Sequence, residues 1–551
     1  MAGYYYGDRS LEEFIATFDM EVLRVGSRFY TATIPKENIA MLSHSEKVVQ
    51  ISLPAEQSYT DIGLGSICMG NIGFPMSQFN VTGRGIIVAV IDTGINYSYE
   101  DFLNADGTTR IKYIWDQTIE GIPPQGFNRG VQYTEEDINR ALNASSKEEQ
   151  LKIVPSQDTI GHGTALATIA AGNRRSENGI NRGIAIDSNL IIVKIGNYTT
   201  GSNRPTDRDI MEGIAYVFDR AKTLNMPASV ILGIGNNLTG HDGLTILESY
   251  IDEVSFVSKG NITVGAGNEA DKDRHVDGQF QEGVQETIQF IMQGDEKAYG
   301  CCMWKEFDDE VEIVIRAPNG ERTEPLSRRT PNRAYLFDNT AVLVNFLEPT
   351  NNITKQEFFV WFQAQGSANI NKGQWTFTIT PKSVLNGPYN MWAQITKNDN
   401  RFLNPSSQRT VTSPGTANGI TTVGAFNALT TQIAPFSGRG YALDQHIVPD
   451  FAAPGVNIPI ANKDSNLEYV NFSGTSVAAA FVGGAYALLL EYGLFILNQN
   501  DFYGQRLRIY LIRTATRPSS YGPYPNTTWG YGSLCVEAAL NYMLDIVNTS
   551  T

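Results

Sequence analysis

Short apolar runs and amphipathic segments alternate over most of the chain, and this alternation predicts an α/β domain. The runs Gly85–Ile91, Leu190–Lys194 and Ala228–Leu232 are largely apolar, which is typical of strands buried on both faces of a sheet. Asp209–Leu224 and Leu244–Lys259 have helical spacing and follow two of these runs. The sequence therefore predicts a doubly wound parallel sheet, in which ligand sites lie at the carboxyl ends of strands.

A different pattern fills residues 279–395. Val311–Pro318, Glu357–Gln365 and Gly373–Pro381 alternate apolar with polar side chains and are separated by glycine, proline and asparagine. This pattern predicts an antiparallel β unit, a sandwich or jelly roll. Because the α/β pattern resumes near Thr421, we expect this unit to be inserted into the α/β domain, whose two parts cover residues 58–278 and 396–551.

The first 57 residues predict a small α+β unit. Helical spacing covers Ser10–Phe18 and Lys36–Leu42, and strand patterns cover Phe29–Ile34 and Val48–Leu53. The polar stretch Pro54–Gly63 then breaks the pattern, as a linker does.

Charge and composition exclude several classes of protein. The chain has 42 Lys and Arg against 58 Asp and Glu, a net charge of −16, which argues against nucleic-acid and anionic-lipid surfaces. A hydrophobic content of 42% argues against disorder. The longest uncharged stretch, about Val470–Leu490, contains Asn, Ser, Gly and Thr, so we expect a buried helix and no membrane span.

Cysteine usage and the N-terminus indicate the compartment. Cys68, Cys301, Cys302 and Cys535 include no C-x-x-C pair, which argues against a disulfide framework or a structural zinc site. The first 20 residues lack a basic segment followed by an apolar run. We therefore expect a soluble protein made in the cytoplasm without a signal peptide.

One of the five histidines differs from the others. His162 lies in GHGTALATIAAG, where Gly161 and Gly163 permit close approach to the ring. A histidine at the start of a buried helix is rigidly oriented, as a general base must be, although a structural core histidine is the alternative. The remaining four lie in polar or loop segments: His44, His241, His275 and His446.

Asp92 ends the first predicted strand of the sheet and begins an Asp-Thr-Gly triplet. A carboxylate there can hold an imidazole from a neighbouring element, or it can cap the next turn. The triplet also occurs in aspartic proteases, which need two such carboxylates. Because the chain has one Asp-Thr-Gly, that interpretation would require a dimer.

Ser476 lies in NFSGTSVAAAFVGG, where Gly474-Thr475-Ser476 leads into a long apolar helix. A hydroxyl at a helix N-terminus lies beside unpaired N–H groups and the positive end of the helix dipole, which suits a nucleophile. An N-cap serine is the alternative. An α/β-hydrolase is disfavoured, because G-x-S-x-G is absent here and no histidine follows Ser476.

Asn268 ends the apolar segment Ile262–Asn268. Its side-chain amide can donate a hydrogen bond to an oxyanion there; the alternative is an asparagine that forms a turn at the strand end. The order of the other three candidates is Asp92, His162 and Ser476, which is the order of the subtilisin triad.

The sequence resembles the subtilisin-like serine proteases (subtilases, family S8) over residues 58–275 and 397–551. The matching segments are VIDTGI, GHGTALATIAAG, VGAGN, DFAAPGVNI, SGTSVAAA and WGYGSLCVEAAL. The resemblance implies a catalytic triad of Asp92, His162 and Ser476, with an oxyanion hole formed by Asn268 and Ser476. It also implies peptide binding along two backbone segments: Gly233, Ile234, Gly235, Gly265, Ala266 and Gly267.

A closer resemblance is to the clostridial Csp proteases of spore germination. DTGINYSYEDF, DGTTRIKYIWDQT, SQDTIGHGT, the triplet His241-Asp242-Gly243 and the β insert are similar to that subgroup. The resemblance implies that residues 1–57 are a prodomain that assists folding and can stay bound in the cleft. It further implies packaging in the spore, a polypeptide substrate that is a cortex-hydrolase precursor, and related Csp proteins as partners.

Self-cleavage of the prodomain is expected between Gln57 and Asp61, with Gln57–Ser58 as our first choice. Gly233-Ile234-Gly235 departs from the common S-x-G, but because it binds substrate through its backbone we expect peptide alignment to survive. Val477 and Ala480 replace the usual Met and Pro of G-T-S-M-A-x-P.

Three functions stay open at this point. The first is an active germination protease, and the second is a general intracellular protease of a spore-forming Firmicute with the same chemistry. The third is a non-enzymatic sensor or regulator, because some Csp relatives have lost triad residues, whereas this chain keeps all three. No cofactor or metal is required for the chemistry. Structural calcium is common in subtilases, but no dense carboxylate loop locates it here.

Overall fold

The computed structural model describes residues 2–5, 20–39, 42, 48–52, 58–59, 79–173, 183–196, 204–349, 354–443, 445–461 and 469–550. The predicted helix Ser10–Phe18 and the residue Gln57 lie outside these ranges. The described part forms a central α/β unit, an antiparallel β insert and a small N-terminal sheet.

A nine-stranded sheet lies at the centre of the molecule. Its neighbouring strands are parallel, except for one short antiparallel strand at each end. The predicted doubly wound sheet is therefore confirmed, as a mixed sheet with a parallel centre. In spatial order the strands are Gln432–Ile433, Thr421–Asn427, Gly260–Gly265, Ala228–Leu232, Ile87–Asp92, Asn189–Lys194, Ile111–Asp116 and Val131–Thr134, with Phe451–Pro454 beside Thr421–Asn427.

Helices cover both faces of this sheet, because its strands are apolar on both. In the strand Ile87–Asp92, Val88 and Val90 join one core, while Ile87 and Ile91 join the other. The first core includes the helices His162–Ala171, Thr475–Glu491, Gln505–Thr514 and Val536–Ser550. The second includes Asp207–Leu224 and Ile246–Val257, and the short helices Glu135–Leu142 and Lys147–Ile153 lie near the edge strands.

The helix Thr475–Glu491 is buried along its whole length and continues into a π-helical turn, Tyr492–Ile496. Among the described helices, this segment alone is long and apolar enough to cross a membrane by length and composition. Because 83% of its most apolar stretch is buried inside the protein, it is a core helix, as the Asn, Ser, Gly and Thr residues in and before it predicted.

The insert consists of two antiparallel sheets that enclose a separate apolar core. The six-stranded sheet has the order His275–Gln279, Pro388–Ala393, Ala298–Glu306, Lys355–Ala364, Thr340–Leu347 and Asn332–Phe337. The four-stranded sheet has the order Glu310–Arg316, Gly373–Ser383, Glu286–Met292 and Arg401–Phe402. Alternating burial along Lys355–Ala364 reflects the alternating sequence pattern that predicted these strands.

The N-terminal unit contributes a four-stranded sheet in the order Glu21–Arg24, Phe29–Thr33, Ala2–Tyr5 and Val48–Ser52, with a 3-10 turn at Lys36–Asn38. This sheet packs on the helices of the second core. The Phe29 ring meets the edge of Tyr250 at a centroid distance of 5.6 Å, and the Thr31 hydroxyl donates to Glu212 at 2.7 Å.

Three short antiparallel pairs complete the described strands. They are Ser58–Tyr59 with Ile234–Gly235, Gly440–Tyr441 with Ile447–Val448, and Ile458–Ala461 with Tyr469–Phe472. The first pair places the two residues that directly follow the N-terminal unit against the strand Ile234–Gly235.

Candidate active site

Four polar residues predicted from the sequence lie near one edge of the parallel sheet. Asp92 ends a central strand and Asn268 follows its neighbour Gly260–Gly265. His162 and Ser476 lie in the first turns of the helices His162–Ala171 and Thr475–Glu491, which pack on each other. All four are at most 5% exposed. The fold therefore gathers residues that are almost 400 positions apart in the chain.

A continuous hydrogen-bond chain links three of these residues. His162 Nδ1 lies 2.7 Å from Asp92 Oδ1, and His162 Nε2 lies 3.1 Å from Ser476 Oγ. With the ring protonated at Nδ1, His162 donates to the carboxylate and Nε2 accepts from the Ser476 hydroxyl. This arrangement can activate the hydroxyl as a nucleophile.

The Asp92 carboxyl is fully buried, and burial raises its pKa above the ordinary value. The nearby Asp158 carboxylate adds to this rise, whereas the His162 ring and the Thr93 N–H oppose it. The Thr93 N–H donates to Asp92 Oδ1 at 2.7 Å. The ionised carboxylate therefore depends on its two partners, which stabilise the negative charge.

Gly163 lets the His162 helix approach the Asp92 turn closely. Its N–H donates to the Thr93 hydroxyl at 2.8 Å. A Cβ at position 163 would lie 2.2 Å from the Gly94 carbonyl oxygen, so no larger residue fits without displacing one of the two segments. The glycine beside the histidine is thus required by packing at the triad.

Asp158 is a residue of this site that the sequence analysis missed. Its carboxylate accepts from the Gly161 N–H at 2.7 Å, and from the N–H and hydroxyl of Thr164 at 2.9 and 2.7 Å. It thereby caps the helix that begins at His162 and fixes the loop before it. Its position four residues before the histidine was visible in SQDTIGHGT, but nothing in the sequence alone showed which way the side chain faces.

The sequence analysis also missed Thr475, which orients the Asn268 amide. The Asn268 Oδ1 accepts from the Thr475 N–H at 2.9 Å and from its hydroxyl at 3.1 Å. The Thr475 hydroxyl in turn accepts from the Gly267 N–H at 3.0 Å. With Oδ1 fixed in this way, the Nδ2 group is the part of the Asn268 side chain that can donate to an oxyanion.

Gly265 brings the strand end close to the Ser476 turn. A Cβ at position 265 would lie 2.6 Å from the Thr475 carbonyl carbon and 2.7 Å from the Ser476 nitrogen. Beyond it, the Ala266 carbonyl accepts from the Thr412 N–H at 3.1 Å. The predicted segment Gly265-Ala266-Gly267 thus lies directly beside the candidate nucleophile.

The predicted segment Gly233-Ile234-Gly235 begins at the triad. A Cβ on Gly233 would lie 2.3 Å from Asp92 Oδ2 and 2.7 Å from His162 Cε1. The strand Ser58–Tyr59 pairs antiparallel with it, with Tyr59 opposite Ile234 and Ser58 opposite Gly235. Part of the chain's own N-terminal region therefore lies along this segment and runs towards the triad.

Among the described residues, no three His, Cys, Asp or Glu side chains gather where they could hold a metal ion. No calcium site is therefore assigned to named residues, and calcium binding stays an untested expectation. Cys301, Cys302 and Cys535 are free thiols.

Sequence and structure comparisons identify relatives of this chain. Minor extracellular protease Vpr of Bacillus subtilis (strain 168) is 24% identical over 486 residues, covering 83% of this chain and 52% of Vpr. C5a peptidase of a Streptococcus pyogenes serotype M3 strain is 22% identical over 446 residues, covering 74% of this chain and 35% of that protein. The chain thus spans about half the length of Vpr and about a third of the C5a peptidase.

The structure of the CspB protease of Clostridium perfringens matches with a TM-score of 0.78 and 30% sequence identity, over 86% of this chain and 97% of CspB. This similarity supports the resemblance to Csp proteases. The Subtilase family (peptidase S8) profile matches residues 83–284 and 396–532, more than half of the chain. The chain therefore belongs to the subtilase family of serine proteases.

Proposed function

We propose that the chain is an active endopeptidase whose nucleophile is Ser476, with His162 as general base and Asp92 as the group that orients the base. The observation that carries this proposal is the hydrogen-bond chain from Ser476 Oγ through the His162 ring to Asp92. Ser476 Oγ attacks the scissile carbonyl while His162 takes its proton, and Asp92 stabilises the imidazolium. His162 then protonates the leaving amine, and water hydrolyses the acyl-enzyme.

The oxyanion formed in each step is bound by Asn268 Nδ2 and the Ser476 N–H. The contacts of Asn268 Oδ1 with Thr475 support this role, because they fix which end of the amide carries the donor group Nδ2. The Ser476 N–H lies in the first turn of its helix, where N–H groups have no partner within the helix. One such donor lowers the barrier by about 2.7–4 kcal/mol.

A polypeptide substrate binds as an added strand along Gly233-Ile234-Gly235, with Gly265-Ala266-Gly267 on the other side. Main-chain hydrogen bonds provide most of the affinity in this binding mode. The pairing of Ser58–Tyr59 with Ile234–Gly235 supports the assignment, because it is an example of a chain segment bound in this way.

The same pairing supports self-cleavage near the end of the N-terminal unit. Ser58 and Tyr59 run towards the triad, and a chain in this register has its next residue opposite Gly233, beside His162. In this sequence the next residue is Thr60. The register therefore favours cleavage after Thr60, within the predicted window, over our first choice of Gln57–Ser58.

For the physiological role we propose activation of a cortex-hydrolase precursor during spore germination, by a protein packaged in the spore with related Csp proteins. The match to the CspB protease over most of both chains supports this role. A non-enzymatic regulator is the second candidate. The pairing of Ser58–Tyr59 with Ile234–Gly235 favours it, because a protein whose peptide-binding segment is covered by its own chain can bind partners elsewhere without cleaving them. A general protease is the third.

Intact-mass analysis of the wild type and Ser476→Ala tests self-cleavage. We expect the wild type to separate into two fragments under denaturing conditions and Ser476→Ala to remain one chain. The mass of the smaller fragment distinguishes an end at Thr60 from an end at Gln57. An uncut wild type that a fluorophosphonate probe fails to label would contradict the proposed activity.

Asp158→Asn tests the electrostatic support of the triad. The acid limb of the kcat/KM profile reports protonation of the hydrogen-bonded pair of His162 and Asp92, and the negative charge of Asp158 favours the protonated state of that pair. Removing the charge therefore shifts this protonation to lower pH. We expect the acid limb of the kcat/KM profile to move down by about 0.3–0.5 pH unit. Thr164→Val, which removes one hydrogen bond to Asp158 but leaves its charge, should lower activity without moving the limb. An unmoved limb in Asp158→Asn would refute the charge effect.

Complementation of a deletion strain separates the three physiological roles. We expect the wild-type gene to restore cortex hydrolysis and the Ser476→Ala gene to fail. Equal restoration by both would establish the non-enzymatic regulator, and normal cortex hydrolysis in the deletion strain would favour the general protease.

A further inference from the structure

The outer face of the six-stranded sheet of the insert is only partly covered by the α/β unit. On this face Cys302 and Trp392 form a small apolar cluster with Leu443 of the α/β unit. Phe359 lies opposite Cys302 in the sheet register and packs on the edge of the same cluster. The covered part of the face therefore ends near the strand Lys355–Ala364, and two further strands extend the sheet beyond it.

The uncovered part of this face is apolar. Directly opposed residues project to the same face of a sheet, so Leu343 lies beside Trp361 on the face that carries Phe359. The Phe359 and Trp361 rings are stacked at a centroid distance of 6.2 Å. Leu336, Leu343 and Leu347 are 64, 45 and 44% exposed. We call these five residues the insert face, and a contiguous exposed apolar patch of this kind is typical of a binding surface.

One carboxyl group lies within the insert face. Glu357 is opposite Trp304 on one neighbouring strand and Leu347 on the other, and it precedes Phe359 by two residues. It is partly buried and makes no hydrogen bond or ion pair with a described residue. Burial raises its pKa to about 8, because no cation stabilises the negative charge. A Lys or Arg side chain of a bound polypeptide would supply that cation.

The insert face adjoins the predicted peptide-binding segment at Leu238. A Cβ on Gly300 would lie 2.7 Å from Leu238 Cδ1 and 3.1 Å from the Trp361 ring, so these two side chains cover the same glycine. A peptide in the register of Ser58–Tyr59 runs antiparallel to the segment that ends at Gly235, and Leu238 lies beyond that end. The residues of a longer substrate that precede this strand are therefore directed towards Leu238 and the insert face.

The chain's own N-terminal region leads elsewhere. Residues 53–57 alone separate Ser58 from the strand Val48–Ser52, which belongs to the N-terminal sheet. That sheet packs on the helix Ile246–Val257, through the contact of Phe29 with Tyr250. Self-cleavage therefore does not require the insert face, which can serve a second polypeptide.

We propose that the insert face is an exosite, which binds a segment of the polypeptide substrate upstream of the scissile bond that carries large apolar side chains and one Lys or Arg. The apolar side chains pack on Leu343, Leu347 and Trp361, and the cation pairs with Glu357. This inference rests on the proposed endopeptidase activity and deepens it, because it adds a second binding site for the same substrate. Two observations select this occupant: the direction of a bound peptide at Leu238 and the unpaired carboxyl group within an apolar surface.

The test compares the full-length wild type with Glu357→Gln on three quenched peptides that share the chain's own segment AEQSYTDIG. One peptide begins with this segment, and the other two carry Leu-Arg-Leu or Leu-Glu-Leu before it, joined by a short Gly-Ser linker. We expect the wild type to favour the Leu-Arg-Leu peptide over the Leu-Glu-Leu peptide by about 10-fold in kcat/KM. In Glu357→Gln the ratio should fall to within about 2-fold of unity, because a neutral amide does not distinguish the two charges. An unchanged ratio in Glu357→Gln, or a wild-type preference for Leu-Glu-Leu, would overturn the proposal.

Glu312→Gln is the matched control. Glu312 lies on the other sheet of the insert, where it pairs with Lys382 at 2.8 Å. This variant should keep the wild-type ratio, and both variants should cleave themselves as the wild type does. Loss of self-cleavage in Glu357→Gln alone would show that Glu357 supports the active site or the fold, which contradicts a role limited to upstream residues.

Leu343→Ser tests the apolar part of the insert face. We expect kcat/KM for both extended peptides to fall about 5-fold, while the peptide without an extension is cleaved as by the wild type. An equal fall on all three peptides would overturn the proposal. Sedimentation of the wild type and this variant tests another occupant, because a wild-type dimer that Leu343→Ser dissociates, with unchanged peptide ratios, would assign the face to a second copy of the chain.

Labelling with a fluorophosphonate probe separates failure of the two proposals. A labelled wild type that shows no difference among the three peptides overturns the exosite alone. A folded wild type that is neither labelled nor active on any peptide overturns the endopeptidase activity, and the exosite falls with it.

Discussion

The structure of the site depends on one buried imidazole that touches two residues from distant parts of the chain. His162 is fully buried, 2.7 Å from Asp92 and 3.1 Å from Ser476, and neither contact survives a shift of about 1 Å. The parallel sheet supplies the necessary rigidity, because Asp92 ends a strand buried on both faces. The apolar helix that follows Ser476 is buried throughout, which fixes the third member against the same core.

Local sequence patterns predicted those helices and strands in which one pattern of buried and exposed side chains repeats along the whole element. The strand Ile87–Asp92 and the helix Asp207–Leu224 were predictable because each repeats one burial pattern over its length. Asp92, His162 and Ser476 were predictable because each lies where such a pattern begins or ends and belongs to a recognisable motif. Neither argument required knowledge of long-range contacts.

Asp158 and Thr475 could not be found in that way. The carboxylate of Asp158 accepts from nearby Gly161 and Thr164, but the sequence does not show which way it faces, whereas Thr475 acts through a contact between distant segments. Thr475 faces Asn268 from more than 200 residues away. Threonine in a loop has no distinctive local pattern, since its usual part there is a turn or a cap. The register of Ser58–Tyr59 on Ile234–Gly235 is likewise a pairing that composition does not encode.

The insert packs against the α/β unit through one buried tryptophan. Trp392 of the insert stacks between His241 and His275, at centroid distances of 4.1 and 4.9 Å. Burial lowers the pKa of His241 to about 4, although the backbone carbonyls beside its two nitrogens oppose this shift. Its nitrogens lie 2.6 Å from the Val411 carbonyl and 3.0 Å from the Asn237 carbonyl. The Asn237 carbonyl lies two residues beyond Gly235, so the insert packs behind the predicted peptide-binding segment Gly233-Ile234-Gly235.

The N-terminal unit is held by contacts that do not involve its covalent link. Phe29 belongs to the same apolar core as the helix Ile246–Val257, and Thr31 donates to Glu212. Burial alone would raise the pKa of Glu212, but Arg129 and Arg208 more than offset it and hold the pKa below its ordinary value. The carboxylate therefore stays ionised as an acceptor at neutral pH. Because the N-terminal unit makes these contacts through residues before position 57, a cut in the chain after that position would leave them intact.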